Sequence, residues 1–427
     1  MNRHDLERLT KDELVELVLK LQSPPKTSRT SSKPPSTDQK SNRSQSKPGG
    51  AKPGHQGHSR RLAQTPDEIQ DHRPSECRGC GGAFGADVAG CVVGEYDEID
   101  IPPIRPVVTR HRRMACVCPS CGLRTKAALP ETATGSPFGP MVGALIFYCK
   151  HQQHFSYQRL RGLFGDVLGL EISEGAIGNL LRREGAKFMA QAEAYLADLR
   201  RAAVVASDET GVRIEGVNAQ QWVFHSPDTV VHKMAFSRGA QVVRDVMDGS
   251  QPDYWISDRY SAQQGHGAQH QTCLAHLARD AALVLERGDE RIGLAMRFWM
   301  KDAFALADTM KTAAASTIER KARDLDNRLG AIVAANTASE TTRKVQRKFA
   351  NAREQMLTFA TAPPGLVEPT NNGSERELRP AVIQRKVTNG FRSMWGAEVD
   401  AAFRTVVSTA KRRGIHPLTA INAVLAP

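Results

Sequence analysis

"AAVVASDETGVRIE", residues 202–215, begins with an apolar run rich in β-branched side chains and reaches an acidic pair at Asp208 and Glu209. Such a run is a candidate buried strand, and the strand is expected to stop at Asp208, where a loop would begin. Beyond it, "QQWVFHSPDTVVHKMAFS" (220–237) alternates on both sides of Ser226-Pro227-Asp228, which predicts a hairpin. "GAQVVRDVM" (239–247) then reads as a short helix, and "DYWISDRYSAQ" (253–263) as a strand ending on Asp258. "HQTCLAHLARDAALVLERG" (270–288) reads as helical. Strands and helices follow one another here, so this part of the chain is a mixed α/β core.

Two strands thus carry an aspartate at or near their ends. One aspartate after a strand is an ordinary turn residue. Two, in strands able to lie side by side, form a cluster whose repulsion is tolerable with a cation between them. Oxygen-only ligands favour a hard ion, Mg2+ or Mn2+, and a third carboxylate is then wanted. Residues 291–360 read as a charged helical stretch without a chemical motif. After them comes "EPTNNGSERELRPAVIQRK" (368–386), where Glu375 stands near the start of a helix. Taken alone, Glu375 would be a surface salt-bridge partner. Glu377 lies about 200° round the helix from it and cannot share its face. Glu209 points to the opposite face of its strand if that strand continues.

The chain has 427 residues, enough for two or three domains, and a net charge of +12 that favours a polyanionic partner. No apolar run approaches the ~20 residues of a membrane span. The N-terminus lacks a signal-peptide pattern, so a cytoplasmic location is the expectation. Eight cysteines occur, and four form the CxxC pairs Cys77/Cys80 and Cys118/Cys121. In a cytosolic chain such pairs argue for a metal rather than disulfides. Joined by the strand-like stretch 95–117, they describe a zinc ribbon with four thiolates on a structural Zn2+. The gap between the pairs is long for a ribbon, which leaves His72 or Cys116 open as a replacement ligand.

Residues 5–22 space Leu6, Leu9, Leu14, Leu17, Val18 and Leu21 as one amphipathic helix. From Pro24 to about Leu62 the composition is Ser, Pro, Gly, Lys and Arg, an arm with little to bury and suited to a phosphate backbone. Residues 136–198 read as three helices, with Ser173 as a helix cap and "SEGAIGNLLRR" as a helix-turn-helix recognition candidate. A plain helical packing module has the same pattern.

"SDETGVRI", "WISDRYSA", "TCLAHLARD" and "NNGSERELRPAVIQRK" together, and in this order, resemble the transposases of the insertion-sequence-66 family. The "SSKPPSTDQK" arm, the paired knuckles and the ending "GIHPLTAINAVL" are similar to that family as well. Gly211, Arg259 and Leu274 stand where members commonly have proline, glycine and tryptophan. The resemblance implies a bacterial insertion-sequence DNA transposase with an RNase-H-like core and an Asp-Asp-Glu triad at Asp208, Asp258 and Glu375. It implies two-metal phosphoryl transfer, cleaving a strand at the element's end and joining it to target DNA. Arg376, Arg379, Arg385 and Lys386 would then contact phosphates, and His276 would lie near the metals or pack in the core. Double-stranded DNA is the implied partner, in the form of terminal repeats and target, with a homo-oligomer on DNA and small accessory proteins of the same element. The location implied is the cytoplasm, on the nucleoid.

The fold class expected is multidomain α+β. Its parts are a helix (1–23), a disordered basic arm (24–66), a zinc-binding domain (67–130) and a helical domain (131–200). An RNase-H-like core (201–290 and 361–400), a helical insertion (291–360) and a C-terminal helical tail (401–427) complete it. Two competing readings remain: a catalytically decayed zinc-containing DNA-binding protein that represses or targets, and a structure-specific nuclease on the same core.

Overall fold

A computed structural model describes residues 10, 11, 14, 51, 54–57, 60–128 and 136–426. The helix expected over 5–22 and most of the arm over 24–66 lie outside the described residues. The chain divides into two units, one within Lys40–Val107 and one comprising the remainder. The division falls inside the span 67–130, expected to be one domain.

In the first unit the chain turns tightly at Cys77. Its N–H donates to the Gly82 carbonyl, the Gly81 N–H donates back to the Cys77 carbonyl, and Glu76 bridges Ala83. Residues 89–114 have no regular secondary structure. The strand expected over 95–117 is reduced to β1 (Ala115–Val117), which belongs to the second unit and pairs antiparallel with β2 (Arg124–Lys126). Pro102, Pro103 and Pro106 explain the correction, because they lack the N–H that a strand ladder requires.

The second unit continues with α1 (Pro140–Phe147), prolonged by a π-helical turn to Gln152, and α2 (Tyr157–Gly162), prolonged likewise to Val167. α3 (Glu174–Arg200) follows. The hydroxyls of Ser156 and Ser173 accept from the amides of Arg159 and Ala176, capping α2 and α3. Near the start of α3, Ile177, Leu180 and Leu181 are buried, and Arg182 lies over the Trp395 ring. This part of the proposed recognition helix is therefore committed to packing.

The central sheet contains β3 (Val204–Ile214), β4 (Val217–His225), β5 (Val230–Ala235), β6 (Tyr254–Ser257) and β7 (Gln269–Thr272). Their order is β5-β4-β3-β6-β7. The first three pair antiparallel, while β6 and β7 run parallel to β3. Two expectations are corrected here. β3 does not stop at Asp208 but pairs with β4 as far as Ile214↔Val217. The residues at 270–272 are strand, not helix. Gln271 and Thr272 are buried and hydrogen-bonded to Phe359 and Gln355, partners far along the chain that local periodicity cannot reveal.

Helices cover both faces of the sheet, as a buried parallel pair requires. α4 (Ala240–Met247) packs with Val205, Trp222, Phe224 and Trp255. α5 (Leu274–Arg287) and α6 (Glu290–Thr309) pack with Val204, Ala206 and Ile256 on the other face. The charged stretch resolves into α6, α7 (Ala315–Ala334), α8 (Glu340–Met356) and the short α9 (Thr358–Thr361). α10 (Asn372–Thr388) sets Leu378 against Val223 and Val230. α11 (Met394–Arg412) runs unbroken across the expected 400/401 boundary, and α12 (Pro417–Leu425) ends the fold. Thr405 and Thr409 of α11 face the sheet. Their hydroxyls accept from the His232 and Val230 amides at 2.9 and 3.0 Å and so close the β5 edge.

Burial holds His225 and His232 near pKa 3, and His154 and His270 near 4, far below the ordinary imidazole. Since these folded values lie below the unfolded one, their contribution is present above pH about 6.5 and is lost as pH falls. Each such group removes up to about 1.4 kcal/mol per pH unit. Urea unfolding at pH 7.5, 6.5 and 5.5 is expected to show stability dropping over the lower interval; a flat profile would mean these imidazoles are solvated.

Candidate active site

Asp208 and Asp258 owe their proximity to register. β3 and β6 are neighbours, paired through Val204↔Tyr254, Val205↔Trp255 and Ala206↔Ile256. Continuing two residues sets Asp208 against Asp258, just beyond the end of β6. The Asp258 carboxylate accepts the Tyr260 N–H at 2.8 Å, which fixes the turn leaving the strand. Glu375 occupies the first turn of α10, and its Oε1 lies 3.9 Å from Nε2 of His276 in the first turn of α5. Three elements therefore deliver three carboxylates to one end of the sheet.

Their electrostatics connect them. Burial pushes the Asp208 carboxyl well above the usual carboxylate range, and the negative charges of Glu209, Asp258 and Glu375 push the same way. His276 is held below the ordinary imidazole value by burial, against the opposing pull of Asp258 and Glu375. Among the described residues, no three His, Cys, Asp or Glu side chains are gathered tightly enough to form a finished metal site. The donor set still fits a hard divalent cation, being all oxygen, negatively charged and uncompensated at Asp208.

Glu209, the next residue of β3, is clamped. Its carboxylate accepts from Arg238 Nε and Nη2 at 2.9 and 2.7 Å and from Gln263 at 2.8 Å, while Arg238 stacks over Tyr260. The clamp ties β3 to the loop that follows Asp258. Arg259 turns to Asp280 at 3.3 Å rather than to Asp258, and Asp280 also holds Lys348 at 2.7 Å. Leu274 is fully buried, with its N–H donating to the Pro369 carbonyl.

Arg376, Arg379, Arg385 and Lys386 are all exposed on α10. Arg385 donates to the Gly211 carbonyl. At helical spacing Arg379 and Lys386 share the Glu375 face, whereas Arg376 lies about 100° away. Glu377 pairs with Arg412 at 3.4 Å, on the other side of the helix.

Asn371, just before Glu375, was invisible as a site residue. Asn371 is the N-cap residue of α10, yet its side chain makes no capping bond to that helix. It reaches instead to the Ser207 carbonyl. Only the identity of the strand beneath α10 could have revealed this.

The two CxxC knuckles repeat one local geometry, each described within its own unit. Cys118 N–H donates to the Leu123 carbonyl and Gly122 N–H to the Cys118 carbonyl, matching the turn at Cys77. Gly81 and Gly122 both adopt positive φ, 72° and 71°, which other residues rarely do. Backbone amides of Gly79 and Cys80 lower the Cys77 thiol pKa, and those of Cys121 and Ser120 lower that of Cys118. Paired thiols, with Cys77 and Cys118 lowered in pKa, suit zinc. His72 and Cys116 are exposed and outside these turns.

Comparison with known families agrees with this arrangement. A model described as a zinc-finger binding domain of transposase IS66 matches residues 74–122, spanning both knuckles. A second, described as the IS66 family of transposases, matches residues 135–399, spanning the sheet and all three carboxylates. This is more than half of the chain, and the protein belongs to the IS66 transposase family, as its motifs suggested. No curated protein matches the chain. Among the described residues no helix is long and apolar enough to cross a membrane.

Proposed function

We propose that the protein is a DDE transposase that cleaves DNA at the ends of its element and joins them to target DNA through Asp208, Asp258 and Glu375. The observation that carries this reading is geometric: the β3–β6 register leads to Asp208 and Asp258 at one end of the sheet, and the first turn of α10 carries Glu375 beside His276, at the start of α5. The sheet order, three antiparallel strands followed by two parallel ones, supports an RNase-H-like core.

Asp208, Asp258 and Glu375 would hold Mg2+ or Mn2+, which when bound activates the attacking oxygen and stabilises the leaving one. The chain's own residues supply the rest. The sheet end fixes two carboxylates by strand register, and α10 brings the third. Arg379 and Lys386, on the Glu375 face, anchor phosphates of the bound strand, with Arg376 and Arg385 beside them. A water, then the freed 3′-hydroxyl, attacks phosphorus in line, so no side chain is covalently modified. The knuckles Cys77–Cys80 and Cys118–Cys121 supply thiolates to structural zinc. Double-stranded DNA is the partner, held by a homo-oligomer that brings two ends together in the bacterial cytoplasm, with small accessory proteins of the element.

The test is strand transfer by the purified full chain with Mg2+, DNA carrying both element ends, and a target plasmid. Joined products are expected. Nicking without joining would instead make the protein a structure-specific nuclease, and end binding without cleavage would make it a repressor or targeting factor.

A further inference from the structure

Every polar group of Asn371 is engaged, and its bonds lead, directly or through Cys273, to Glu375 and to residues adjoining the three carboxylates. Its side-chain Nδ2 donates to the carbonyl of Ser207 at 2.8 Å, one residue before Asp208. Its backbone N–H donates to Cys273 Sγ at 3.2 Å, and the Cys273 N–H donates at 2.8 Å to the carbonyl of Ser257, one residue before Asp258. Its own carbonyl accepts the N–H of Glu375 at 3.2 Å. The remaining atom, Oδ1, accepts the Ser374 hydroxyl at 2.6 Å, which fixes the amide so that Nδ2 faces Ser207. Asn371, Ser374, Ser207 and Cys273 are all buried, so water cannot replace these bonds.

The next residue but one reinforces the junction. A Cβ on Gly373 would stand 2.8 Å from Nε2 of the buried His225, closer than such atoms approach. Glycine therefore lets the start of α10 settle against β4, at the depth where Asn371 meets Ser207. Asn372, by contrast, is exposed. The two adjacent asparagines have different tasks, and only the first is built into the fold.

We infer that Asn371 is the positioning residue of this site: it locks α10 to β3 and, through Cys273, to β6, and thereby sets the affinity of the three carboxylates for divalent metal. The inference rests on the transposase reading above. It differs from a capping or packing role because it ties Asn371 to metal affinity and not merely to stability. Outer-sphere residues that orient ligands typically change metal affinity about ten- to a hundredfold when removed.

The experiment measures Mn2+ binding to the full chain, without DNA, by electron paramagnetic resonance, alongside urea unfolding. Wild type is compared with Asp208→Ala, Asn371→Ala and Ser374→Ala. Asn371→Ala is expected to weaken Mn2+ binding by about ten- to a hundredfold while the chain remains folded. Ser374→Ala, which only frees the amide to rotate, is expected to weaken it less. With element-end DNA and Mg2+, the Asn371 variant should lose cleavage rate at saturating DNA with little change in the DNA concentration for half-saturation. Wild-type Mn2+ affinity in Asn371→Ala, with binding abolished in Asp208→Ala, would reduce Asn371 to a packing residue and overturn the inference. If Asn371→Ala does not fold, unchanged affinity in Ser374→Ala overturns it equally. Unchanged binding in Asp208→Ala would remove the metal reading itself, and this inference with it.

Discussion

Arg404→Ala is expected to destabilise the fold by about 3–5 kcal/mol at neutral pH, the cost of leaving a buried charge without its partner. The partner is Asp400, which has no exposed surface, while Arg404 is 3% exposed. Arg404 Nε donates to Asp400 Oδ2 at 2.6 Å, and His151 Nδ1 lies 2.9 Å from Oδ1. Burial alone would raise the Asp400 pKa, but the Arg404 charge and the His151 hydrogen bond hold it well below the usual carboxylate range. A depressed carboxyl contributes stability above its unfolded pKa of about 3.9, and that contribution fades as pH falls further. Urea unfolding of wild type and variant should therefore differ most near pH 7 and converge below about pH 4. The paired replacement Asp400→Asn with Arg404→Met should cost less than Arg404→Ala, since it removes both charges together. A loss under about 1 kcal/mol for Arg404→Ala would mean the pair is solvated rather than dry. Arg404 also donates to Gln384 on α10 at 2.8 Å and to the His151 carbonyl at 3.2 Å. The same guanidinium thus joins the helical region around α1 to the helix that carries Glu375.

The parts of this arrangement that could be read in the sequence are those written in local chemistry. The apolar run before Asp208 announces β3, the Ser-Pro-Asp turn announces the β4–β5 hairpin, and Ser173 marks the start of α3. The two CxxCG knuckles state their own geometry, because thiol spacing and a positive-φ glycine are local requirements. What escaped depends on partners distant in the chain. β7 is four residues of His, Thr and Gln whose strand character comes from pairing with β6 and from bonds to Gln355 and Phe359. The length of β3 beyond Asp208 is set by β4. The expected 400/401 boundary lies inside a helix whose buried Thr405 and Thr409 bond a strand edge about 170 residues earlier. Asn371 escaped for the same reason, since its side-chain partner is the Ser207 carbonyl, 164 residues earlier in the chain.

Asp208→Asn is expected to lower DNA cleavage by about a thousandfold or more, equivalent to about 4 kcal/mol of barrier, while leaving end binding intact. It is also expected to make the metal-free protein more stable. Both effects have one origin. The Asp208 carboxyl is buried next to three other carboxylates, and burial with those charges raises its pKa well above the usual range. A carboxyl whose folded pKa is raised opposes folding whenever it is ionised, so at neutral pH it is a burden that the rest of the fold supports. Asparagine keeps the shape and removes the charge. The melting temperature should rise by roughly 2–4 °C for each kcal/mol relieved. Adding Mg2+ should then raise the melting temperature of wild type, whose carboxylates gain a counter-ion, but not that of the variant. Melting curves of both proteins with EDTA and with Mg2+, beside a cleavage and a gel-shift assay, separate the possibilities. A variant less stable than wild type in EDTA would show that Asp208 is a structural carboxylate. A variant that still cleaves would remove Asp208 from the site. Loss of cleavage together with gain of stability is the signature of a group kept for chemistry at the expense of the fold.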